Sequence, residues 1–307
     1  MKVLTVATRS SDLALAQTKL VISKLKIIYP DIKIKIKKIT TTGDRDNRTA
    51  LWELKTSGFF TSQIEDALLA GVADFAVHSF KDLPTHPRDG LTIAAVCERQ
   101  FAQDCLIASE LAVSIETLKP QAKIGTSSLR RMVQIKRLRP DAKLSPIRGN
   151  VTTRIRRLTE GKFDAIILAQ AGIERLGLAE KITISFNPTQ FIPAPAQGAL
   201  AVQTRCDDAA TNKFISAIDD QKTRITTFAE RQILVTMKCG CHAPVGAFAE
   251  ITGDNIEIYA FISDLEGKIF LNRRTKGPTA QAITLAEKLA NELLSAGGNK
   301  ILQSLKK

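Results

Sequence analysis

Apolar residues recur along the chain in two patterns, one typical of strands and one typical of helices. Residues 3–7 form a short apolar run that predicts a buried strand. Residues 13–28 repeat apolar side chains at helical spacing and stop before Pro30, while Ser11 stands where a helix N-cap is expected. The chain therefore opens as a strand, a loop and a helix.

The same alternation continues through most of the chain. Residues 32–39 predict a strand with one face in solvent, because isoleucine and lysine alternate over residues 32–37. Further helices are predicted at 61–70, 128–138, 152–160 and 207–218, and further strands at 74–78, 123–125, 163–168 and 199–204. Because strands alternate with helices, we expect parallel sheets.

The last part of the chain has a different pattern. A turn at 264–267 joins two predicted strands, 256–263 and 268–273, and a helix is predicted at 279–295. A chain of 307 residues exceeds the size of one hydrophobic core. The predicted fold is therefore two α/β domains followed by a small α+β domain. Their predicted bounds are 1–98 with 199–217 for domain 1, 103–193 for domain 2 and 220–307 for domain 3.

The charge balance favours an anionic partner. Lysine and arginine number 44 and aspartate and glutamate 31, which gives a formal net charge of +13. Such an excess attracts nucleic acid, a membrane surface or an acidic metabolite, and its sign alone does not choose among them. Lys33, Lys35 and Lys37 belong to the alternating segment and are expected to be ordinary surface charges.

The sequence also predicts a cytoplasmic location. No apolar run reaches the roughly 20 residues that cross a bilayer, and Arg9 and Asp12 interrupt the first apolar run too early for a signal peptide. The five cysteines are odd in number and mostly scattered, which fits a reducing compartment. Their spacing suggests neither a disulfide framework nor a metal site.

Residues 125–131, Gly-Thr-Ser-Ser-Leu-Arg-Arg, follow a predicted strand and open a predicted helix. The free N–H groups of a helix start bind anions, hydroxyl groups add hydrogen bonds, and arginines add charge-assisted ones. The segment thus predicts an anion site that contains Ser127, Ser128, Arg130 and Arg131. The alternative is an ordinary N-cap followed by two exposed arginines.

A second basic set contains Arg148, which precedes Gly149, together with Arg154, Arg156 and Arg157. Gly149 and Asn150 suit a turn before a helix. RNA binding and a solvated helix face both remain open for this set. Arg9 follows the first predicted strand, at the sheet edge where α/β domains hold ligands.

Lys81 and Asp82 lie in the loop that leaves the predicted strand 74–78. A carboxylate is a poor ligand for an anion, but it suits a positive charge that develops during a reaction. The alternative for Asp82 is a salt bridge to Lys81 or to an arginine.

Residues 239–244, Cys-Gly-Cys-His-Ala-Pro, predict a loop near the start of the last domain. A loop thiol near cations ionises more readily, which makes it a nucleophile at neutral pH. His242 is a weak candidate for a general base because adjacent residues of an extended chain point apart. The alternative is that Cys239 and Cys241 are reduced thiols that take no part in the chemistry.

Taken together, these motifs resemble the porphobilinogen deaminases, a family also called hydroxymethylbilane synthases. The resemblance spans nearly the whole chain and rests on segments in a fixed order: 7–11, 78–84, 125–131, 148–151, 168–172 with Arg175, 195–199, and Gly240-Cys241 before Pro244. It implies a transferase that joins four porphobilinogens head to tail into the linear tetrapyrrole hydroxymethylbilane and releases ammonia at each step. It also implies α/β domains like the halves of periplasmic binding proteins, and a third domain that carries the reactive cysteine.

The resemblance further implies a dipyrromethane cofactor, joined by a thioether to Cys241, and a catalytic role for Asp82. The residues expected to bind the cofactor are Cys241, Lys81, Ser127, Ser128, Arg130, Arg131, Arg148, Gly149 and Arg154. Those expected to bind substrate are Arg9, Ser11, Arg148, Arg154 and Arg175. The acetate and propionate groups of each pyrrole would explain the many arginines. The expected partner is porphobilinogen, with no nucleic acid or membrane, and the expected state is a monomer.

Three positions depart from the family pattern. Ser57 stands where a lid lysine is common, Asp12 where proline is common, and Cys239 where glycine is usual. Two other functions are considered, a noncatalytic anion receptor of similar fold and a nucleic-acid-binding protein. The second lacks an aromatic platform or a zinc module beside its arginines.

Overall fold

The chain separates into two compact units. The computed structural model describes residues 3–41, 61–109, 114–240 and 243–305. Of these, the first unit contains the residues up to Gln100 and again Gly198–Arg224, and the second contains Phe101–Gln197 and the residues from Ile225 onward. The predicted division into three domains, with its bounds, stays a prediction.

The first unit is built on a five-stranded sheet with the order β2-β1-β3-β10-β4. Strand β1 pairs in parallel with β2 and β3, whereas β10 runs antiparallel to β3 and β4. The expectation of a parallel sheet is therefore wrong, because β10 returns from the second unit and enters the sheet in the opposite direction. The strands are β1 (Val3–Arg9), β2 (Lys33–Ile39), β3 (Phe75–Ser79), β4 (Leu91–Cys97) and β10 (Leu200–Arg205), and the helices are α1 (Asp12–Ile28), α2 (Ser62–Leu69) and α6 (Ala209–Ser216).

The second unit contains another five-stranded sheet, with the order β7-β6-β8-β5-β9. Strand β6 is parallel to β7 and β8, and β5 is antiparallel to β8 and β9. The two sheets thus share one pairing pattern. In chain order, however, the antiparallel inner strand comes last in the first sheet (β10) and first in the second sheet (β5). The strands are β5 (Asp104–Ala108), β6 (Lys123–Gly125), β7 (Lys143–Ser145), β8 (Ala165–Ala169) and β9 (Ile184–Ser185), and the helices are α3 (Leu129–Leu138), α4 (Val151–Thr159) and α5 (Gln170–Arg175).

The C-terminal part is a three-stranded antiparallel sheet packed against helices. Ile258 and Ile262 of the sheet belong to the same buried cluster as Ile233, Ala286 and Leu289 of the helices. The elements are α7 (Gln221–Met237), β11 (Val245–Thr252), β12 (Asn255–Ser263), β13 (Phe270–Pro278), α8 (Ala282–Leu293) and α9 (Asn299–Ser304). The predicted class, two α/β parts and a small C-terminal α+β part, is confirmed.

Burial on both faces of the sheets explains the continuous apolar runs of the sequence. Ile166 and Ile167 are neighbours on β8, yet they belong to different buried clusters because successive strand residues point to opposite faces. Strand β2 is different because it forms an edge of its sheet. Its Lys33, Lys35 and Lys37 are exposed, as the alternating pattern predicts.

Local signals set the start and end of α1. The Oγ of Ser11 accepts the N–H of Ala14 at 3.4 Å, and the helix ends before Pro30. Asp12 lies in the first turn, where a negative charge interacts favourably with the helix dipole. Asp12 therefore has a local role at a position where proline is common in the family that the sequence resembles. Across the described ranges, no helix is both long and apolar enough to cross a bilayer.

Candidate active site

Two loops and one helix of the second unit begin at one edge of its five-stranded sheet. Strands β6, β7 and β8 are parallel neighbours, so their carboxyl ends share that edge. The loop after β6 carries Ser127 and leads into α3, and the loop after β7 carries Arg148 and Gly149. Helix α5 follows β8 directly and ends at Arg175. The topology thus brings together motifs that are distant in sequence.

Ser127 joins the first two of these loops. Its buried hydroxyl donates to the carbonyl of Ile147 at 2.6 Å and accepts the N–H of Ile147 at 3.0 Å. Ser128 is the N-cap residue of α3, and its half-buried side chain makes no capping hydrogen bond among the described residues. The two serines therefore differ, since Ser127 is engaged inside the fold and Ser128 is not.

Arg130 and Arg131, in the first turn of α3, are only 4% and 7% exposed, so the alternative of two exposed arginines is wrong. Both bind the buried Asp104: Nη2 of Arg130 lies 2.7 Å from Oδ2, and Nη2 of Arg131 lies 2.7 Å from Oδ1. Arg130 also donates to the carbonyl of Ile192, and Arg131 to that of Ile167. Although burial opposes ionisation, the two guanidinium charges hold the pKa of Asp104 well below its usual range.

Gly149 forms the turn that the sequence predicts before α4. Its φ is +101°, and an added Cβ would lie 2.7 Å from the side chain of Thr153. Asn150 then caps α4 by accepting the N–H of Thr153 at 2.8 Å. The Nε of Arg154 donates to the Gly149 carbonyl at 2.8 Å. The turn therefore fixes one side of the Arg154 guanidinium.

Arg154 lies in a field of positive charge. Burial lowers its pKa, and the charges of Arg131, Arg148 and Arg157 lower it further, to about 10. A bound anion would stabilise the charged guanidinium and reduce this repulsion. Arg154 is also half-buried, unlike a residue of a solvated helix face, whereas Arg156 on the same helix is exposed. The geometry thus favours anion binding for this set of residues.

The first unit gathers the remaining candidates at the edge where β1 and β3 end. These strands are parallel neighbours. Arg9 is the last residue of β1 and Ser11 caps α1. Lys81 and Asp82 belong to a 3₁₀ turn, Phe80–Asp82, that follows β3 directly. Asp82 is exposed and forms no ion pair within the part of the chain that the structure describes.

His78 lies beneath this edge and is almost completely buried. Burial lowers the pKa of His78 to about 4, a hydrogen bond with Gln203 opposes the shift, and the charge of Arg9 adds to it. The imidazole is therefore neutral at neutral pH.

Only part of the predicted cysteine loop can be placed. Cys239 is buried in the apolar cluster that contains Ile233, Met237 and Val245. Cys241 and His242 lie outside the described residues, and so does Ser57.

Sequence reasoning missed three polar residues that organise the site. Asp104 is one, and Gln197 is another, since its Nε2 donates to Oδ1 of Asp104 at 2.9 Å. The third is the buried Glu230, which accepts the N–H groups of Ala196 at 2.6 Å and Ala249 at 2.8 Å. The one signal that could have indicated Asp104 is its position as an acidic residue just before an apolar run in so basic a chain.

Comparison with known proteins agrees with the motifs. The family model "Porphobilinogen deaminase, dipyromethane cofactor binding domain" matches residues 4–213, and the C-terminal domain of the same family matches residues 224–295. The porphobilinogen deaminase of Syntrophobacter fumaroxidans is 36% identical over 99% of this chain and 98% of its own length. That of Natranaerobius thermophilus is 40% identical over 99% of each chain.

Solved structures give a weaker match. The methionine-binding protein MetQ is 10% identical with a TM-score of 0.45, covering 70% of this chain and 89% of its own. Similarity at this level supports no statement about ligand or activity.

Proposed function

The chain belongs to the porphobilinogen deaminase family, and on that premise we propose that it catalyses the synthesis of hydroxymethylbilane. In this reaction four porphobilinogens condense head to tail, each condensation releases ammonia, and water is finally added to the linear tetrapyrrole. The enzyme is accordingly a transferase of tetrapyrrole biosynthesis.

The observation that carries the proposal is the electrostatic state of Arg154. Its pKa falls to about 10 because partial burial and the charges of Arg131, Arg148 and Arg157 disfavour the charged guanidinium. Such crowding of positive charge is unfavourable unless a ligand supplies negative charge. Porphobilinogen carries an acetate and a propionate group, and a growing chain of pyrroles carries two carboxylates per ring. The site and the substrate therefore have complementary charges.

The same residues fit a dipyrromethane cofactor, whose carboxylates need cationic and N–H donors. We propose that cofactor carboxylates are held by the predicted set of donors, namely Lys81, Ser127, Ser128, Arg130, Arg131, Arg148, Gly149 and Arg154. Because the Ser127 hydroxyl is engaged with Ile147, that residue would act through the position of its loop. When bound, the cofactor supplies the pyrrole carbon to which the first substrate is joined.

Substrate carboxylates would be held by a partly overlapping set, Arg9, Ser11, Arg148, Arg154 and Arg175. Arg148 and Arg154 belong to both sets, which suits a site through which successive rings pass. Lys81 and Arg9 follow parallel neighbouring strands, so they can act on one ligand.

Asp82 is proposed as the catalytic residue. Loss of ammonia leaves a positive charge on the substrate, and a nearby carboxylate stabilises that charge as it develops. Asp82 is exposed and is not committed to an ion pair with any described residue, so its charge is available for this role.

Cys241 is proposed as the attachment residue. The other thiol of the loop, Cys239, is buried in an apolar cluster, where burial disfavours the thiolate that a nucleophile needs. The proposal also includes a cytoplasmic monomer that acts on a small molecule, not on nucleic acid or membrane. The scattered cysteines support the reducing compartment.

Intact-mass analysis of the purified protein, followed by peptide mapping, tests the proposal. We expect an added mass equal to two porphobilinogens less two ammonias, located on Cys241. An adduct on Cys239 would move the attachment residue. Turnover of porphobilinogen by a protein with an unmodified Cys241 would contradict the assignment, and an unmodified protein without turnover would indicate a noncatalytic anion receptor.

A further inference from the structure

Asp104 is a buried carboxylate that the proposed chemistry does not use. It is completely buried at the first position of β5, and it contacts both Arg130 and Arg131. A buried carboxylate between two buried guanidiniums leaves one net positive charge. Without Asp104, two desolvated like charges would lie side by side before any ligand arrives, which is strongly unfavourable.

The contacts of Asp104 also fix orientation. Arg131 directs Nε and Nη2 to Oδ1 of Asp104, at 3.1 and 2.7 Å, and Nη1 to the Ile167 carbonyl at 3.1 Å. These three contacts define the plane of the guanidinium. Arg130 is held between Oδ2 of Asp104 and the Ile192 carbonyl. Since a guanidinium has five N–H groups, each arginine keeps further donors for a ligand.

Gln197 adds a neutral donor to the same carboxylate. Its Nε2 lies 2.9 Å from Oδ1 of Asp104 and 2.9 Å from the carbonyl of Ala102. The preceding residue, Ala196, has a left-handed backbone with φ of 62°, and its N–H is bound by Glu230 of α7. The position of Gln197 is thus fixed from a helix that leads to the cysteine loop.

The chain around residue 192 is attached to α3 and to the C-terminal sheet. Gln134 of α3 accepts the N–H of Ile192 at 2.8 Å, and the N–H of Ala247 in β11 donates to the carbonyl of Pro193 at 3.1 Å. The segment from Ile192 to Gln197 therefore connects α3, which carries Arg130 and Arg131, to the C-terminal sheet, which follows Cys241 in the sequence.

We infer that Asp104, aligned by Gln197, is a positioning residue that holds Arg130 and Arg131 in one orientation for carboxylate binding. The inference rests on the proposed function, which supplies the carboxylates. Asp104 itself contacts no ligand in this scheme and acts through the two arginines.

The test compares Asp104→Asn with a matched variant elsewhere in the second unit. Arg139, which follows α3, binds Asp141 through Nε and Nη2, both at 2.8 Å. Asp141→Asn therefore also removes a carboxylate held by two arginine hydrogen bonds, but away from the candidate site. For wild type and both variants, we would measure Tm, adduct occupancy by intact mass, and KM and kcat for porphobilinogen well below Tm.

We expect both variants to lower Tm, and only Asp104→Asn to deplete the adduct and to raise KM by about tenfold or more, as loss of a charged hydrogen bond does. Asp104→Glu should restore part of the occupancy because it keeps the charge. A folded Asp104→Asn protein with wild-type KM and occupancy would overturn the inference. So would an equal rise in KM for Asp141→Asn, which would reveal a general loss of structure.

If Asp104→Asn does not fold, Gln197→Met takes its place, because it removes the aligning donor without changing charge. We then expect a KM about threefold higher, and an unchanged KM would overturn the inference. Absence of adduct and turnover in the wild-type protein would instead refute the proposed function itself, and with it the inference.

Discussion

Ser127 and Ile147 hold two loops of the candidate site together through one hydroxyl group. The hydroxyl donates to the Ile147 carbonyl at 2.6 Å and accepts its N–H at 3.0 Å. Both backbone groups of Ile147 are thereby satisfied in a buried place, which water does not reach. The loop that leads to Arg130 and the loop with Arg148 are therefore not independent.

Ser127→Ala should destabilise the protein by about 2 kcal/mol, because a buried N–H and a buried carbonyl would lose their partner. Urea unfolding measures this change. Ser128→Ala is the matched control and should cost about 0.5 kcal/mol or less, since its side chain makes no capping bond among the described residues. Equal costs for the two variants would contradict the role assigned to the Ser127 hydroxyl.

His78 should make the protein less stable in mild acid. Its pKa is lowered to about 4 in the folded state, mainly by burial, and is about 6.5 when unfolded. The unfolded chain therefore takes up a proton first as pH falls, so stability present above pH 6.5 is lost progressively toward pH 4, by up to about 3 kcal/mol.

Urea unfolding at pH 7 and at pH 4.5 measures this loss. His78→Gln should lose less stability between the two values than wild type, whereas His86→Gln, which alters an exposed histidine, should behave as wild type does. A wild-type loss retained in full by His78→Gln would assign the effect to other groups.

Arg154 should limit substrate binding in alkali. As pH rises through about 10, its guanidinium loses the charge that attracts a carboxylate, although an ordinary arginine would stay charged. We expect KM for porphobilinogen to rise in this range. Arg154→Gln should have a higher KM at neutral pH and should lose this alkaline rise.

Arg156→Gln is the control, because Arg156 is exposed on the same helix and pairs with Glu160. It should keep both the neutral KM and the alkaline rise. An unchanged alkaline rise in Arg154→Gln would mean that another group, such as a lysine, titrates there.

Asp82→Asn should fold and keep its cofactor, yet condense slowly. The amide preserves the shape of the side chain and removes the negative charge, so the loss should lie in the rate and not in substrate affinity. We expect roughly a hundredfold slower single-turnover condensation. The measurement must use protein whose adduct is confirmed by mass, and a near-normal rate would reject the catalytic role.

Periodic apolar patterns predicted the regular elements well where one face or both faces of an element are apolar. Helix α1 was expected at 13–28 and spans Asp12–Ile28, and the helix expected at 128–138 spans Leu129–Leu138. The sequence also identified the loops that follow β6 and β7, because each combines turn-forming residues with arginines just before or within a predicted helix.

Helix α7 escaped prediction because its buried residues are largely polar. Thr223, Thr227, Glu230 and Arg231 are all buried, so the helix has no clean apolar stripe. The role of Asp104 was not predicted either, because sequence patterns do not show contacts between distant residues. Its partner Arg131 is 27 residues away, and only the sheet brings the two together.

The late position of β10 has a consequence for synthesis of the chain. Strands β3 and β4 are joined only through β10, which the ribosome makes after every strand of the second five-stranded sheet. Because domains fold as their residues emerge, the second sheet should be complete first. Until Leu200–Arg205 arrives, β3 and β4 present unpaired edges that can recruit other chains. The nascent first sheet is therefore the stage at which a chaperone is most useful.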